Sequence, residues 1–302
     1  MSHKESVHAA QHETMLQLTS GALRLALAPA LGGCIARFDC GEFPILRGVR
    51  ERPDRILETA SFPLVPFVNR MRGGRFVFRG REVRLTPNLA GEQSPLHGQG
   101  WLAAWNAAQH SEREAELRYH HRSGEWPWAY EARQRFLLSD HALDIELACR
   151  NLSNEPMPCG LGQHPYFVCN SCTRIDTQVS HAWTIDEEVL PIGRVQATGR
   201  FDLAGRAICG QGLDNGFEGW SGHARIETDE WPFAIELSSP DARFLHVYSP
   251  VEGGSFAAEP VTHRSAALNE PEESWDEAGL RILAPGEEMR LRTRIALVSA
   301  RR

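Results

Sequence analysis

Apolar residues recur at every second position in several separate stretches of the chain. A period of two puts alternate side chains on opposite faces of an extended backbone, as in a β-strand with one buried face. The clearest stretches are ALRLALA with Leu23, Leu25 and Leu27, RFVFRG with Phe76 and Phe78, ALDIELAC with Leu143, Ile145 and Leu147, and MRLRTRIAL with Leu291, Ile295 and Leu297. The pattern therefore predicts strands along the whole chain.

Turn signals separate these stretches, so that strand and turn alternate up to the C-terminus. They are Arg79-Gly80-Arg81, Ser123-Gly124-Glu125, Ser139-Asp140-His141, Pro240-Asp241-Ala242 and Pro285-Gly286. Windows with a helical period are scarce, and the best of them is EESWDEAGL (272–280), directly after Pro271. The chain is therefore predicted to be all-β, with one short helix near its end.

The strand signals continue without a break, and no linker rich in proline, glycine or serine divides the chain. We therefore expect a single domain over residues 14–302, built as one large antiparallel β-sandwich. Residues 1–13 contain three histidines and show no periodicity, and we expect them to form a flexible N-terminal arm.

The composition is that of a folded protein with an acidic balance. Of the 302 residues, 42% are hydrophobic and 24% are charged, and the formal net charge is −7. Binding to nucleic acid or to an anionic membrane requires a basic surface, so neither partner is expected. No apolar run approaches the roughly 20 residues of a membrane-spanning helix, and the polar opening segment does not resemble a secretion signal. We expect a cytoplasmic protein.

The seven cysteines are an odd set that lies mostly in apolar segments, which is typical of reduced thiols in a protein core. Cys169 and Cys172 form the one close spacing. This pair has no second CxxC partner in the sequence, so it is a weak motif for a zinc site.

Three motifs carry side chains suited to acid-base chemistry. GLGQHPYF (160–167) contains His164, PLHGQGW (95–101) contains His97 in a predicted loop, and FAAEPVTH (256–263) contains Glu259 in an apolar segment. A carboxylate in such surroundings needs a partner or a function. Gly160 and Gly162 would let the backbone near His164 approach a ligand. Taken alone, His164 also fits a hydrogen-bonded core histidine, and His97 also fits a surface turn.

The order of the motifs resembles that of the aldose 1-epimerase (galactose mutarotase) family from about residue 20 to the C-terminus. The motifs that carry the resemblance are FVNRMRGGRFVFRGREVRLTPN, LHGQGW, GLGQHPYF, GLDNGF, FLHVYSP and FAAEPVTHRSAALN. Each is short, and six in the family's order make a specific signal. The resemblance implies the galactose mutarotase-like β-sandwich, which agrees with the strand pattern, and the interconversion of α and β anomers of an aldose.

The resemblance also implies the catalytic groups. Glu259 matches the family's catalytic base, His164 its general acid, and His97 a second histidine near the ring oxygen. Ring opening removes the proton of the anomeric hydroxyl while the ring oxygen is protonated, and closure reverses both steps. The reaction therefore needs one base and one acid on the sugar and no cofactor or metal. We expect Glu259 to hold His164 in its protonated form.

Four further residues are candidates for binding the sugar. By resemblance, Arg70 and Asp214 hydrogen-bond the hydroxyl groups, with Asn69 as a weaker candidate. From its residue type, Trp101 could cover an apolar face of the sugar. The ordinary alternatives are an ion pair for Arg70, a turn residue for Asp214 before Asn215 and a core position for Trp101.

Other functions remain open at the level of sequence. His97, His164 and Glu259 could bind a metal ion, and Asp214 with Glu259 could form the carboxylate pair of a glycoside hydrolase. A non-catalytic carbohydrate-binding protein could share the same fold. A hexose-6-phosphate 1-epimerase would need basic side chains at the site, for which Arg72, Arg75 and Arg264 are available. The expected partner is a monosaccharide, and the protein could be a monomer or a homodimer.

Overall fold

The structure is a computed structural model that describes residues 15–48 and 53–300. The first half of the chain forms β1 (Leu16–Ser20), β2 (Leu23–Ala28), β3 (Cys34–Cys40), β4 (Phe43–Leu46), β5 (Pro63–Leu64), β6 (Arg75–Phe78), β7 (Arg81–Arg84), β8 (Asn106–His110), β9 (Glu114–His121), β10 (Tyr130–Leu138) and β11 (Ala142–Asn151). The predicted arm at residues 1–13 lies outside the described residues.

The second half of the chain continues the same architecture. It forms β12 (Met157–Cys159), β13 (Gly162–Gln163), β14 (Tyr166–Val168), β15 (Arg174–Thr177), β16 (His181–Ile185), β17 (Pro191–Gln196), β18 (Arg206–Ala207), β19 (Leu213–Glu218), β20 (His223–Glu227), β21 (Phe233–Ser238), β22 (Phe244–Ser249), β23 (Ser255–Val261), β24 (Arg281–Leu283) and β25 (Glu288–Ser299). Single turns of 3₁₀-helix lie at Ile56–Glu58, Arg72–Gly74, Gly100–Leu102, Gly199–Phe201, Ala267–Asn269 and Glu272–Ser274, and the α-helix α1 spans Trp275–Ala278.

Two large sheets make up the sandwich. The first runs in the order β1-β2-β3-β4-β14-β23-β22-β19-β16-β17, with β13 joining β23 to β5. The second runs in the order β18-β15-β20-β21-β25-β11-β10-β9-β8. Two two-stranded sheets, the hairpin β6-β7 and the pair β12-β24 from distant parts of the chain, complete the described strands, and the residue pairing within the sheets is antiparallel. The predicted all-β antiparallel sandwich is confirmed.

The core lies between the two large sheets and follows from the alternation in the sequence. Leu25 of β2, Ile145 of β11 and Leu291 of β25 all belong to one buried cluster that both sheets contribute to. Register confirms the shared face, since Leu147 pairs with Leu291 and Leu143 with Ile295. Burying each large apolar side chain contributes about 1.5–3 kcal/mol, so this face fixes which residues of each strand point outward.

The helix predicted after Pro271 is also present. It begins as a 3₁₀ turn, continues as α1, and ends at Gly279, whose φ of 90° is left-handed and whose missing side chain makes room for the carbonyl oxygen of Thr262. Within the two described ranges, no helix is long and apolar enough to cross a bilayer. The single-domain organisation stays a prediction.

The centre of the first sheet positions the functional side chains. β22 lies between β19 and β23, so His246 of β22 is opposite Glu259 on one side and Gly216 on the other. Two residues further along each strand, Asp214 of β19 is opposite Tyr248. These residues therefore share one face of three neighbouring strands, held by backbone hydrogen bonds on both edges.

Candidate active site

One cavity of about 330 Å³ is lined by all seven residues that the sequence predicted for the site. They are Asn69, Arg70, His97, Trp101, His164, Asp214 and Glu259. The cavity lies over the face of β19, β22 and β23, and loops supply its walls. Further lining residues that the sequence did not single out are Arg47, Phe62, Glu92, Tyr166, His246 and Tyr248.

Glu259 and His164 are in direct contact at the floor of this cavity. Glu259 lies on β23 and is 2% exposed, and His164 lies in the short connection between β13 and β14. The Nε2 atom of His164 is 3.2 Å from Oε1 of Glu259. Stacking on Tyr166, at 4.5 Å between ring centres, and contact with Phe62 at 4.6 Å hold the imidazole in place.

Burial controls the charge state of this pair. It raises the pKa of Glu259 from 4.5 to about 8, against the opposing effect of His246 and Arg70. Burial also lowers the pKa of His164 well below its usual 6.5, and the nearby Arg47 adds to this effect. The expected imidazolium is therefore not the favoured form of the free protein, because burial penalises both charges. The proton resides on the carboxyl group beside a neutral imidazole.

His97 is fixed in one tautomer by its neighbour Asn69. The backbone N–H of Asn69 donates to Nδ1 of His97 at 3.0 Å, and the backbone N–H of His97 donates to the carbonyl of Asn69 at 3.0 Å. Both residues have a left-handed backbone, with φ of 58° and 56°. Burial lowers the pKa of His97 well below its usual value, so the ring is neutral and carries its proton on Nε2. That N–H is the donor that His97 can offer a ligand.

Trp101 supports His97 from behind. The indole ring is fully buried, lies edge-on to His97 at 5.5 Å between ring centres, and donates from Nε1 to the carbonyl of Leu96. Trp101 therefore has the surroundings of a core residue, as the ordinary alternative proposed. Its contact with an apolar face of the sugar stays a prediction.

A hydrogen-bonded row connects Asn69 to Asp214 through His246. The Oδ1 atom of Asn69 accepts from the backbone N–H of Arg70 at 2.8 Å and from the hydroxyl of Ser265 at 2.9 Å. The amide Nδ2 of Asn69 consequently faces Nδ1 of His246, at 3.4 Å, and Nε2 of His246 lies 2.7 Å from Oδ1 of Asp214. An amide donor at Nδ1 places the imidazole proton on Nε2, where His246 donates it to Asp214.

His246 is also electrostatically coupled to the pair of Glu259 and His164. Burial lowers the pKa of His246, but Glu259 when ionised, together with the hydrogen bond to Asp214 and its charge, outweighs burial and raises it overall. His246 lies in FLHVYSP, one of the motifs that carry the family resemblance, but no role was predicted for it because the motif has the pattern of an ordinary strand. Only the pairing of β22 with β23 shows that His246 is opposite Glu259. Asp214 likewise lies within β19, so its alternative as a turn residue is wrong.

Arg70 is held by a carboxylate that the sequence also left unmarked. Its Nε donates to Oε2 of Glu92 at 2.8 Å and its Nη2 donates to Oε1 at 2.7 Å, which is a bidentate ion pair. Burial would lower the pKa of Arg70, but Glu92 raises it, so the guanidinium stays charged. Glu92 comes from a polar loop in which nothing distinguishes it from an exposed residue.

The glycines beside His164 have a different role from the one predicted. A side chain at Gly160 would collide with the ring of His263, 1.9 Å away, and one at Gly162 would lie 2.8 Å from a methyl group of Leu64. His263 is buried and accepts the backbone N–H of Val68 on Nε2. Both glycines therefore make room for core side chains, and their predicted approach to a ligand is wrong.

A larger groove of about 530 Å³ lies on the second sheet and offers no comparable chemistry. Its walls alternate in charge, and Arg294 and Arg292 are already engaged, by Asp144 and Asp241 respectively. We therefore assign the candidate active site to the smaller cavity around Glu259.

Among residues 15–48 and 53–300, no three histidine, cysteine, aspartate or glutamate side chains lie close enough together to bind one metal ion. All seven cysteines are free thiols.

The aldose 1-epimerase family profile matches residues 14–296, and the chain belongs to this family. The uncharacterized protein YphB of Escherichia coli (strain K12) is 36% identical over 294 residues, which cover 92% of this chain and 98% of YphB.

Solved structures agree with this assignment. A crystal structure from Escherichia coli K12, of a protein provisionally classed as an aldose 1-epimerase, has a TM-score of 0.86 at 32% identity, covering 95% of this chain and 99% of that one. A galactose mutarotase-like protein from Clostridium acetobutylicum has a TM-score of 0.84 at 17% identity, covering 94% and 95%. The second likeness shows the fold alone.

Proposed function

We propose that the protein is an aldose 1-epimerase that interconverts the α and β anomers of an unphosphorylated aldose. The observation that carries this proposal is the contact between Glu259 and His164, 3.2 Å apart at the floor of a polar cavity. The anomeric oxygen and the ring oxygen of an aldose are bonded to the same carbon. A base and an acid at this separation can therefore reach both oxygens at once.

The charge state of the pair suits this reaction. The free protein holds one proton on the carboxyl of Glu259 beside a neutral His164. Moving that proton from Oε1 to Nε2 gives a carboxylate and an imidazolium without exchange with solvent. The carboxylate then accepts the anomeric proton while the imidazolium protonates the ring oxygen, and the ring opens to the aldehyde. Rotation about the bond from C1 to C2 and the reverse transfers close the ring as the other anomer.

The remaining cavity residues offer donors and acceptors for a polyol. His97 offers its Nε2–H, and Asp214 offers carboxylate oxygens. Arg70, and Asn69 as the weaker candidate, complete the proposed sugar-binding set. Charged donors and acceptors give directional hydrogen bonds to hydroxyl groups.

The charges near the site favour an uncharged sugar over a hexose 6-phosphate. Arg70 is neutralised by Glu92, and Asp214 adds a second carboxylate to the walls. Arg264, one of the residues considered for phosphate, is paired with Glu270 at 2.6 Å, and Arg72 is paired with Asp186 at 3.1 Å. These arginines are therefore occupied, and the carboxylates of Glu92 and Asp214 offset the two cations of the cavity lining, Arg47 and Arg70, so a phosphate would find no net attraction.

The test is the decay of optical rotation of freshly dissolved α-anomers, corrected for the rate in buffer. Glu259→Gln keeps the size of the side chain but cannot accept a proton, so we expect a loss of about 10²–10⁴-fold. His164→Asn should lose a similar factor, and the double variant should lose less than the product of the two. Glu252→Gln, which removes an exposed carboxylate outside the cavity, is the matched control.

Three results would contradict the proposal. Retention of more than about a tenth of the enzyme-dependent rate by Glu259→Gln would exclude Glu259 as the base. Cleavage of chromogenic glycosides by the wild type would favour a hydrolase that uses Asp214 and Glu259. Binding of an aldose by calorimetry without any acceleration of mutarotation would indicate a carbohydrate-binding protein.

A further inference from the structure

Glu92 occupies the edge of Arg70 that anions normally bind. A guanidinium presents Nε and one terminal nitrogen as a parallel pair of donors, which matches the two oxygens of a carboxylate or a phosphate. In this protein both donors are taken by Glu92, at 2.8 and 2.7 Å. Both side chains line the cavity, where Arg70 is 11% exposed and Glu92 is 23% exposed. An anionic sugar therefore meets Arg70 with its bidentate edge already filled.

The other charges that line the cavity determine how strongly this pairing affects the binding of an anionic sugar. The described lining contains two cations, Arg47 and Arg70, and the carboxyl groups of Glu92, Asp214 and Glu259, of which Glu259 holds the proton of its pair with His164. The guanidinium of Arg47 lies 3.3 Å from the ring centre of Tyr166 and donates to the carbonyl groups of Leu57 and Thr59. With Glu92 ionised, Glu92 and Asp214 balance the two cations, and the lining offers a negative substituent on the sugar no net attraction. Without the charge of Glu92, Arg70 becomes a cation with a free edge inside the cavity.

We propose that Glu92 is a specificity-determining residue that restricts the cavity to uncharged aldoses by occupying Arg70. This inference rests on the proposed function, since it concerns which aldoses the same site accepts. The excluded class is defined by its chemistry: aldoses with a phosphate or a carboxylate on a carbon away from the reacting centre. The carboxylate of Glu92 holds the guanidinium of Arg70 in one orientation, in which it can donate to sugar hydroxyl groups. It also occupies the two donors that an anion would bind.

A purely structural role for Glu92 predicts something different. Glu92 belongs to the loop between β7 and β8, and pairing with Arg70 also ties that loop to the cavity wall. If anchoring were its only role, its loss would impair neutral and anionic sugars by the same factor. The ratio of the two activities therefore separates selection from anchoring.

The experiment compares kcat/KM for four sugars in wild type and Glu92→Gln. The neutral probes are glucose and galactose, and the anionic probes are glucose 6-phosphate and glucuronate, all added as single anomers and followed by polarimetry or NMR. We expect the anionic-to-neutral ratio to rise at least about tenfold in the variant, equivalent to about 1.4 kcal/mol. The rise should shrink from 0.01 M to 0.15 M salt, because the Debye length falls from about 30 to about 8 Å.

Two variants control for shape and for net charge. Glu92→Asp keeps the negative charge and should keep the wild-type preference for neutral sugars. Glu252→Gln removes an exposed carboxylate that is near Tyr248 but has no bond to Arg70, and should leave all four activities unchanged. If Glu92→Gln is unstable, Glu92→Ser removes the same charge with a shorter side chain and should give the same ratio.

The outcomes separate this inference from the proposed function. A wild type that accelerates none of the neutral sugars refutes the proposed function. A wild type that is active on neutral sugars, with an unchanged ratio in Glu92→Gln and Glu92→Ser, refutes the inference alone. An equal rise in Glu252→Gln also refutes it, because the effect would then be general electrostatics. A wild type that prefers the anionic sugars contradicts both.

Discussion

Replacing Glu259 with glutamine should make the protein more stable at alkaline pH while removing its activity. The folded state raises the pKa of Glu259 from 4.5 to about 8, so between these values the folded protein holds a proton that the unfolded chain has released. The free energy of unfolding therefore falls as the pH rises through this window, by about 1.4 kcal/mol per pH unit. Over about three and a half units the cost of the buried charge is on the order of 5 kcal/mol above pH 8. Glutamine carries no charge and escapes this cost.

The assay is thermal unfolding of wild type and Glu259→Gln from pH 5 to pH 9, followed by circular dichroism. A change in hydrogen bonding caused by the substitution shifts the Tm of the variant by the same amount at every pH. The quantity of interest is therefore how the difference in Tm between variant and wild type varies with pH. Between pH 5 and pH 9 the assay covers about three units of this window, about 4 kcal/mol, so at about 2 °C per kcal/mol the variant should gain about 8 °C in Tm relative to wild type. Glu252→Gln controls for loss of an exposed carboxylate. Parallel Tm curves for wild type and Glu259→Gln would refute the reasoning, because they would show that burial does not keep Glu259 protonated.

Three further outcomes are expected. The kcat/KM of the wild type should fall as the pH rises above about 8, because the Glu259–His164 pair then loses the proton that His164 must donate; a rate that keeps rising to pH 9.5 would contradict the shared proton. Gly160→Ala should lower the free energy of unfolding by about 1–3 kcal/mol by displacing His263, whereas Gly124→Ala, whose added atom has only ordinary contacts, should change little in the same urea titration. Activity should survive exhaustive chelation, since proton transfer needs the lone pairs that a metal would occupy; loss on chelation with recovery on adding zinc would favour a metal enzyme.

The fold could be predicted because its signal is local. Leu143, Ile145 and Leu147 alternate within one short stretch, and the turn at Ser139 to His141 is marked by its own residues. Each such signal is complete within about ten residues and does not depend on the rest of the chain. The all-β architecture therefore follows from the sequence without knowledge of which strands are neighbours.

The site was only partly predictable, because much of it depends on contacts between distant segments. His164 and Glu259 stood out through unusual local surroundings, but their contact joins residues 95 positions apart. His246 has no unusual surroundings, and its importance arises from the register of β22 against β23. Glu92 lies in a polar loop and becomes significant only where that loop meets Arg70. Gly160 was misjudged for the same reason, since His263 lies far away in the sequence.

The position of Glu259 inside the sheet has a consequence for the dynamics of the protein. β23 is hydrogen-bonded to β22 on one edge and to β13 and β14 on the other, so its backbone amides exchange with solvent only when the sheet itself opens. Residues 86–94, which include Glu92, form no strand, so we expect this part of the loop to open before the sheet does. On heating, hydrogen exchange should accelerate in this loop well before it does in β23. Discrimination between neutral and anionic sugars should then fade at temperatures where the enzyme still turns over.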